Sequence, residues 1–111
     1  MAAPRARAKK IIERFIKHLE KQIKVQQVYL FGSHARGSEK RHSDIDIAVV
    51  SENFKKMAPF DRLVYLGKMA WEAGTPVIEA IGYTPKEFAT KSLLEFPSEI
   101  KQNGIRILPA A

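Results

Sequence analysis

Apolar and basic residues recur at helical spacing in the first quarter of the chain. From about Arg5 to Lys24 the apolar residues fall on one face, which predicts a helix that packs on a sheet. They are Ile11, Ile12, Phe15, Ile16, Leu19 and Ile23. The opposite face is basic and carries Lys9, Lys10, Arg14, Lys17, Lys21 and Lys24. A solvated helix face is the more common outcome of such a pattern, while binding to nucleic acid stays open as an alternative.

Three later segments have the hydrophobic pattern of strands. They are residues 26–31, 44–50 and 76–82. In the second segment, Ile45 and Ile47 alternate with Asp44 and Asp46, which is typical of a half-buried strand. Both aspartates should therefore lie on one face, with Cα atoms roughly 6 to 7 Å apart.

A second long helix is predicted from about Phe54 to Ala73, with Gly74 as its stop signal. Pro59 disfavours a helix through that position, so an alternative start lies near Ala58, after a loop or separate turn. Helical spacing predicts that one apolar stripe forms the core side of this helix. Its members are Met57, Phe60, Leu63, Val64, Gly67 and Trp71.

Three other apolar residues of the same helix, Tyr65, Leu66 and Met69, lie well away from that stripe. A single sheet cannot bury both sets, so something else must cover these three residues. One candidate is a C-terminal helix of the same chain that carries Phe88. The other is a partner protein or a second copy of this chain, for which the three residues would form an exposed apolar patch.

The C-terminal quarter opens with a capping box, Thr84-Pro85-Lys86-Glu87, which predicts a helix that runs to about Leu94. A short helix after Pro97 should end at Gly104, and residues 105–108 can add a last strand. With 111 residues and 45% apolar content, the chain is predicted to be one domain, 1–111, around one core.

The composition of the chain limits the kinds of partner and metal ion that it can bind. The net charge of +7 favours anionic partners, whether nucleotide, nucleic acid or acidic protein. Because the chain has no cysteine, disulfides and thiolate zinc sites are excluded, and oxygen ligands favour hard cations such as Mg²⁺. No apolar run approaches the roughly 18 residues of a membrane span, and the basic N-terminus lacks an apolar signal core. We therefore expect a cytoplasmic protein without a membrane partner.

Two local features carry candidate chemistry. Gly32 and Ser33 follow a buried strand, where a sharp turn lets backbone amides and a hydroxyl approach a phosphate. Asp44 and Asp46 follow after an interval of ten residues, and two like charges on one strand face attract a divalent cation. The interval itself is basic, which suits either a solvated loop or the neutralisation of a triphosphate.

A third acidic residue, Glu79, stands alone in an apolar strand. A carboxylate in that setting is unfavourable unless it is paired or bound to a metal. The alternative is that Glu79 lies at a sheet edge and points to water or pairs with a lysine.

Taken together, these residues resemble the signature of the DNA polymerase β nucleotidyltransferase superfamily. The matching segment is Leu30-Phe31-Gly32-Ser33-His34-Ala35-Arg36-Gly37, ending in Ser43-Asp44-Ile45-Asp46-Ile47. Its spacing and the small size of the chain are most similar to the minimal nucleotidyltransferases, the antitoxin halves of HEPN/MNT toxin–antitoxin pairs. The resemblance implies an α/β (α+β) fold: a small mixed sheet of three to four strands, with helices mainly on one face and the site on the other.

The resemblance also implies a chemistry. Asp44 and Asp46 would hold two Mg²⁺ ions, Gly32 and Ser33 would seat the β and γ phosphates of ATP, and an acceptor hydroxyl would attack the α-phosphorus. Glu79 is the candidate third carboxylate by element order, as a metal ligand or proton acceptor, although the usual residue there is aspartate. Arg36 is a candidate phosphate clamp because its planar fork matches two oxygens.

So small a chain leaves little surface for an acceptor pocket, which predicts a partner. By resemblance that partner is a HEPN toxin, neutralised by complex formation, by AMP transfer or by both. A non-catalytic antitoxin is the alternative, because glutamate replaces the usual third aspartate. A nucleic-acid-binding domain ranks last, because no aromatic residue interleaves with the basic face of the first helix.

Overall fold

The computed structural model describes residues 6–110. The strands are β1 (Gln27–Phe31), β2 (Ile45–Val50), β3 (Ile78–Tyr83) and β4 (Ile105–Leu108). The helices are α1 (Ala6–Leu19), α2 (Ser33–Arg36), α3 (Pro59–Glu72), α4 (Pro85–Phe88) and α5 (Phe96–Asn103). A 3₁₀ turn at Glu52–Lys56 precedes α3. In this part of the chain no helix is long and apolar enough to cross a membrane.

The four strands form one mixed sheet in the order β3-β2-β1-β4. β1 is antiparallel to both β2 and β4, whereas β2 and β3 run parallel. The parallel pair requires a crossover, which the 3₁₀ turn and α3 supply. The predicted mixed α/β class and the strand count of three to four are confirmed.

Helices α1 and α3 cover one face of the sheet. The predicted apolar stripe of α1 faces inward, and Ile12, Phe15 and Leu19 are fully buried. The helix is shorter than predicted, because after Leu19 the chain makes a turn in which residues 21 and 22 donate to the carbonyls of 18 and 19 before β1 begins. Arg5, the predicted first residue, lies outside the described residues.

Helix α3 begins at Pro59, as the alternative start near Ala58 predicted, but its orientation is the reverse of the prediction. Its buried residues are Arg62, Leu66, Met69 and Ala70. The large side chains expected in the core are exposed instead: Phe60 (71%), Leu63 (49%), Val64 (56%) and Trp71 (75%). The helix is apolar on two sides, so spacing alone could not select the side that faces the sheet.

In the observed orientation of α3, the buried side chain of Arg62 makes hydrogen bonds to three other segments. Its Nε donates to the Met57 carbonyl at 2.9 Å, and its Nη1 donates to the Gly82 carbonyl at 3.2 Å and to Glu87 Oε1 at 2.6 Å. These bonds tie the start of α3 to the end of β3 and to α4. Both predicted covers for Tyr65, Leu66 and Met69 are wrong. Leu66 and Met69 lie in the core and Tyr65 packs against it, so they form no partner patch, and the helix that carries Phe88 belongs to a different cluster.

Two short helices pack on the other face of the sheet. Phe88 of α4 is buried there, with its ring centroid 5.3 Å from that of Tyr29 and 5.7 Å from that of Tyr83. The capping box is present as predicted, but α4 ends at Phe88 rather than near Leu94. Lys101 Nζ donates to the Phe88 and Thr90 carbonyls, so a side chain of α5 occupies the carbonyls that further helical turns would use.

Candidate active site

The turn after β1 is built around Gly32. Its φ of 74° and ψ of −154° suit glycine, and its carbonyl accepts from the amides of Ala35 and Arg36, both at 3.1 Å, which starts α2. A Cβ on this residue would lie 2.3 Å from Asp46 Oδ2. The backbone of the turn therefore lies directly against one of the candidate carboxylates, so a phosphate at the turn would lie close to that carboxylate.

Strand register brings the carboxylates of two strands together. Ile45 and Ile47 of β2 belong to the core under α1 and α3, so Asp46 points to the opposite face. In the parallel ladder Asp46 is the Cα partner of Glu79. Phe31, the last residue of β1, is the partner of Asp46 on its other side. Glu79 therefore lies beside Asp46, although β3 is an edge strand and the Glu79 side chain is exposed, as the alternative interpretation predicted.

Neighbouring acids raise the pKa of Glu79 and of Asp46. Glu79 comes within hydrogen-bonding reach of Asp44, and this bond, then the charge of Asp44, burial and the charge of Asp46, raises the pKa of Glu79 above its usual 4.5. Burial, followed by the charge of Asp44, raises the pKa of Asp46 above 3.8, against a lowering by His34 and Arg36. The nearby cations thus do not offset the combined effect of burial and repulsion at Asp46.

The donor set fits a hard cation. Asp44, Asp46 and Glu79 offer only carboxylate oxygens, the ligands that Mg²⁺ prefers. Within residues 6–110, no group of three or more histidine, cysteine, aspartate or glutamate side chains already has an arrangement that could hold a metal. Asp44 and Glu79 instead lie within hydrogen-bonding reach of one another, so oxygens of two of the three carboxylates already converge.

Part of the basic interval between Ser33 and Asp44 holds the loop in place. His34 Nε2 lies 3.2 Å from the Ser43 carbonyl, and the Lys40 amide donates to Ser43 Oγ at 2.7 Å, so the loop is held just before Asp44. Arg36 is exposed on α2 and close enough to lower the pKa of Asp46. Its guanidinium is therefore free to bind an anion that reaches the turn.

A cavity of about 480 Å³ extends from the turn towards α5. Its wall includes Gly32 and Arg36 of the predicted site together with Phe96, Glu99 and Asn103 of α5. Sequence reasoning missed the residues of α5, because they lie about fifty positions after the end of the motif at Ile47 and carry no motif of their own. A second cavity, of about 450 Å³, is lined by residues of α1 and of the basic interval, with Arg7, His34 and Lys40 among them.

Comparison with known proteins agrees with this architecture. The family model of the nucleotidyltransferase domain matches residues 9–107. A relative from Methanocaldococcus jannaschii, MJ1215, provisionally assigned as a protein adenylyltransferase, is 46% identical over 41 residues, 37% of this chain. That match spans 48% of MJ1215, so the chain aligns with about half the length of this curated relative.

Three crystal structures are similar in fold. A provisionally assigned nucleotidyltransferase from Sulfolobus solfataricus has a TM-score of 0.64 at 25% identity, over 90% of this chain and 78% of that one. A toxin–antitoxin structure with AMP-PNP has a TM-score of 0.59 at 25% identity, over 85% and 69% of the two chains. A mutant of the toxin–antitoxin pair MntA–HpeT, at 23% identity over the same shares and a TM-score of 0.56, shows likeness of fold alone.

The family model extends over nearly all of the chain, and the sheet places the Gly-Ser turn beside the paired aspartates, as the resemblance to the superfamily leads one to expect. On this match, the chain belongs to the nucleotidyltransferase domain family.

Proposed function

We propose that this protein transfers the AMP moiety of ATP to a hydroxyl group of a partner protein, and that it acts as an antitoxin. The observation that carries the proposal is the strand register that sets Glu79 beside Asp46 and the Gly32 turn against the same aspartate. Two comparisons support ATP as the donor of AMP: MJ1215 is provisionally assigned as a protein adenylyltransferase, and a structure of similar fold contains AMP-PNP.

In the proposed reaction the acceptor oxygen forms a bond to the α-phosphorus, the bond from that phosphorus to the bridging oxygen of the β-phosphate breaks, and pyrophosphate leaves. The amides of the turn and the Ser33 hydroxyl hold the leaving phosphates, and Arg36 neutralises part of their charge. The acceptor proton passes to the Glu79 carboxylate, which lies beside Asp46 on the neighbouring strand.

Asp44 and Asp46 are the residues that would hold Mg²⁺, because Glu79 is used as the proton acceptor. When bound, Mg²⁺ supplies charge neutralisation for the phosphates and lowers the pKa of the acceptor hydroxyl. The two aspartates differ in their surroundings, since Asp46 touches the turn and Asp44 lies exposed beside Glu79. In this proposal Asp46 is the metal-holding carboxylate nearest to the phosphates.

The partner that we propose is a HEPN-class toxin in the cytoplasm. Support comes from the toxin–antitoxin structure with AMP-PNP, which has a similar fold. The net charge of +7 would also favour an acidic partner surface.

The test uses ATP labelled at either the α- or the γ-phosphate, with Mg²⁺ and the protein encoded beside this one. We expect label on the partner from α-labelled ATP only, and none with Asp44→Asn/Asp46→Asn. Lys68→Ala, an exposed change on the opposite side of the sheet, is the matched control and should transfer normally. Label from the γ-phosphate would indicate a kinase, and absence of both label and nucleotide binding would refute the proposal.

A non-catalytic antitoxin is the second candidate. The observation in its favour is Glu79 itself, a longer acid than the usual aspartate, held within reach of Asp44. This alternative predicts that the partner binds and is neutralised without label, and that Asp44→Asn/Asp46→Asn neutralises as well as the wild type.

A further inference from the structure

We propose that the cavity between α2 and α5 is the subsite for the base of the nucleotide. This proposal rests on the proposed nucleotidyl transfer and names the part of the protein that recognises the donor. The ligand is the aromatic base of a nucleoside triphosphate whose phosphates lie on the Gly32 turn.

Continuity with the phosphate turn is the first support. Gly32 both lines the cavity and lies against Asp46, and Arg36 lines the cavity from α2, the short helix that follows Gly32. A ligand can therefore hold its phosphates at the turn and extend into the cavity without leaving the site. A volume of about 480 Å³ lies within the range of sites that enclose small ligands, roughly 300–1,000 Å³.

The aromatic wall is the second support. Phe96 leaves 47% of its surface exposed, although it begins a helix that packs on the sheet. Its ring lies edge-to-face with that of Phe31, at 5.3 Å between centroids and 88° between planes. Phe31 is the strand partner of Asp46, so this wall is fixed to the strands that carry the carboxylates. A half-exposed ring held in this way offers a surface on which a base stacks.

The polar edge of the cavity is the third support. Asn103 Nδ2 donates to Glu99 Oε2 at 2.7 Å, one helical turn apart, and both residues line the cavity. This bond orients the amide and leaves Glu99 Oε1 as an acceptor. An exocyclic amino group on the base can donate to it, whereas a carbonyl in the same position would repel it. The site therefore favours ATP over inosine triphosphate, which has a carbonyl in place of the adenine amino group.

Calorimetry with α,β-methylene-ATP and with inorganic tripolyphosphate, each with Mg²⁺, tests the subsite without any reaction. For Phe96→Ala we expect the Kd of the nucleotide to rise about tenfold or more, with the Kd of tripolyphosphate unchanged. Phe96→Trp, which keeps a stacking surface, should bind the nucleotide like the wild type. Leu94→Ala is the matched control, since Leu94 is 98% exposed in the loop just before α5 and does not line the cavity.

A second comparison tests the polar edge. The wild type should bind ATP at least about fivefold more tightly than inosine triphosphate, and Glu99→Gln should narrow that ratio. The proposal is overturned if Phe96→Ala, folded by circular dichroism, weakens nucleotide and tripolyphosphate equally or weakens neither.

Failure of the subsite can be told from failure of the proposed function. Normal AMP transfer with unchanged nucleotide binding in Phe96→Ala would overturn the subsite and leave the function standing. Loss of nucleotide affinity in Phe96→Ala, with no transfer by the wild type to any partner, would uphold the subsite and overturn the function.

Discussion

Two leucines of α3, one turn apart, give the sharpest test of how this helix is oriented. Leu66 is fully buried, whereas Leu63 is 49% exposed. Leu66→Ala removes a buried side chain and leaves a cavity in the core between α3, α1 and the sheet. Changes of this kind cost about 2 to 5 kcal/mol of unfolding free energy.

The same substitution at Leu63 should cost far less. About half of the side chain is already in water, so at most about half of the roughly 1.5–3 kcal/mol of a full leucine burial is lost, and alanine is a slightly better helix former. We expect a loss of about 1 kcal/mol or less. Because 1 kcal/mol shifts the Tm of a domain near this size by roughly 4 °C or more, the two variants should differ by about 5 to 15 °C.

Urea unfolding followed by circular dichroism measures both variants under the same conditions. The slope m, which is the dependence of the unfolding free energy on urea concentration, should be unchanged in both variants. The urea concentration at the unfolding midpoint should fall mainly in Leu66→Ala. Equal losses in the two variants, or a larger loss in Leu63→Ala, would show that the helix faces the sheet with the stripe of Leu63 instead.

Four further outcomes follow from the structure. Arg62→Ala should lower the unfolding free energy by about 1 to 3 kcal/mol in urea melts, because it removes the bonds to the half-buried carbonyls of Met57 and Gly82 and the ion pair with the partly exposed Glu87. A loss no larger than that of the exposed Lys68→Ala would contradict this. In thermal melts, Mg²⁺ with ATP should raise the Tm of the wild type by mass action and leave the Tm of Asp44→Asn/Asp46→Asn unchanged. Equal Tm shifts in both proteins would show that Asp44 and Asp46 are not metal ligands. Glu79→Gln should keep nucleotide affinity by calorimetry but lower the transfer of α-phosphate label by at least about 10²-fold; full activity would make Glu79 a structural residue. Without metal, the raised pKa of Asp46 stabilises the fold below pH 3.8, its ordinary pKa, and this stabilisation is lost as the pH rises through the pKa of Asp46 in the folded protein. The Tm of Asp46→Asn should therefore increase relative to that of the wild type over this pH range. A Tm difference between the two proteins that does not change with pH would argue against the raised pKa.

The parts of the site that depend on local chemistry were predictable from the sequence. The Gly32 turn needs only a strand end and a glycine, and the common face of Asp44 and Asp46 follows from the two-residue period of a strand. The position of Glu79 beside Asp46 agrees with the element order that the resemblance implied, whereas the lone-acid argument alone left open the exposed edge position that Glu79 also has. The roles of these residues in catalysis stay predictions.

The parts that depend on distant contacts were not predictable. The orientation of α3 is linked to a buried arginine that bonds to Gly82 and Glu87, twenty and twenty-five positions further along. The length of α4 depends on Lys101, which takes the Phe88 carbonyl from the next helix. The cavity exists only because α5 packs beside the turn, and no pattern within α5 indicates where it lies.

The outward-facing stripe of α3 has a consequence for the colloidal behaviour of the purified chain. Phe60 and Trp71 are each more than two-thirds exposed on one helix, which is an unusual load of apolar surface for a chain of 111 residues. At low ionic strength, the net charge of +7 keeps copies apart. Added salt shortens the screening length to about 10 Å at 0.1 M and removes that repulsion, while apolar attraction persists. Light scattering by the folded protein should therefore rise with sodium chloride, and storage at low salt should preserve a dispersed solution.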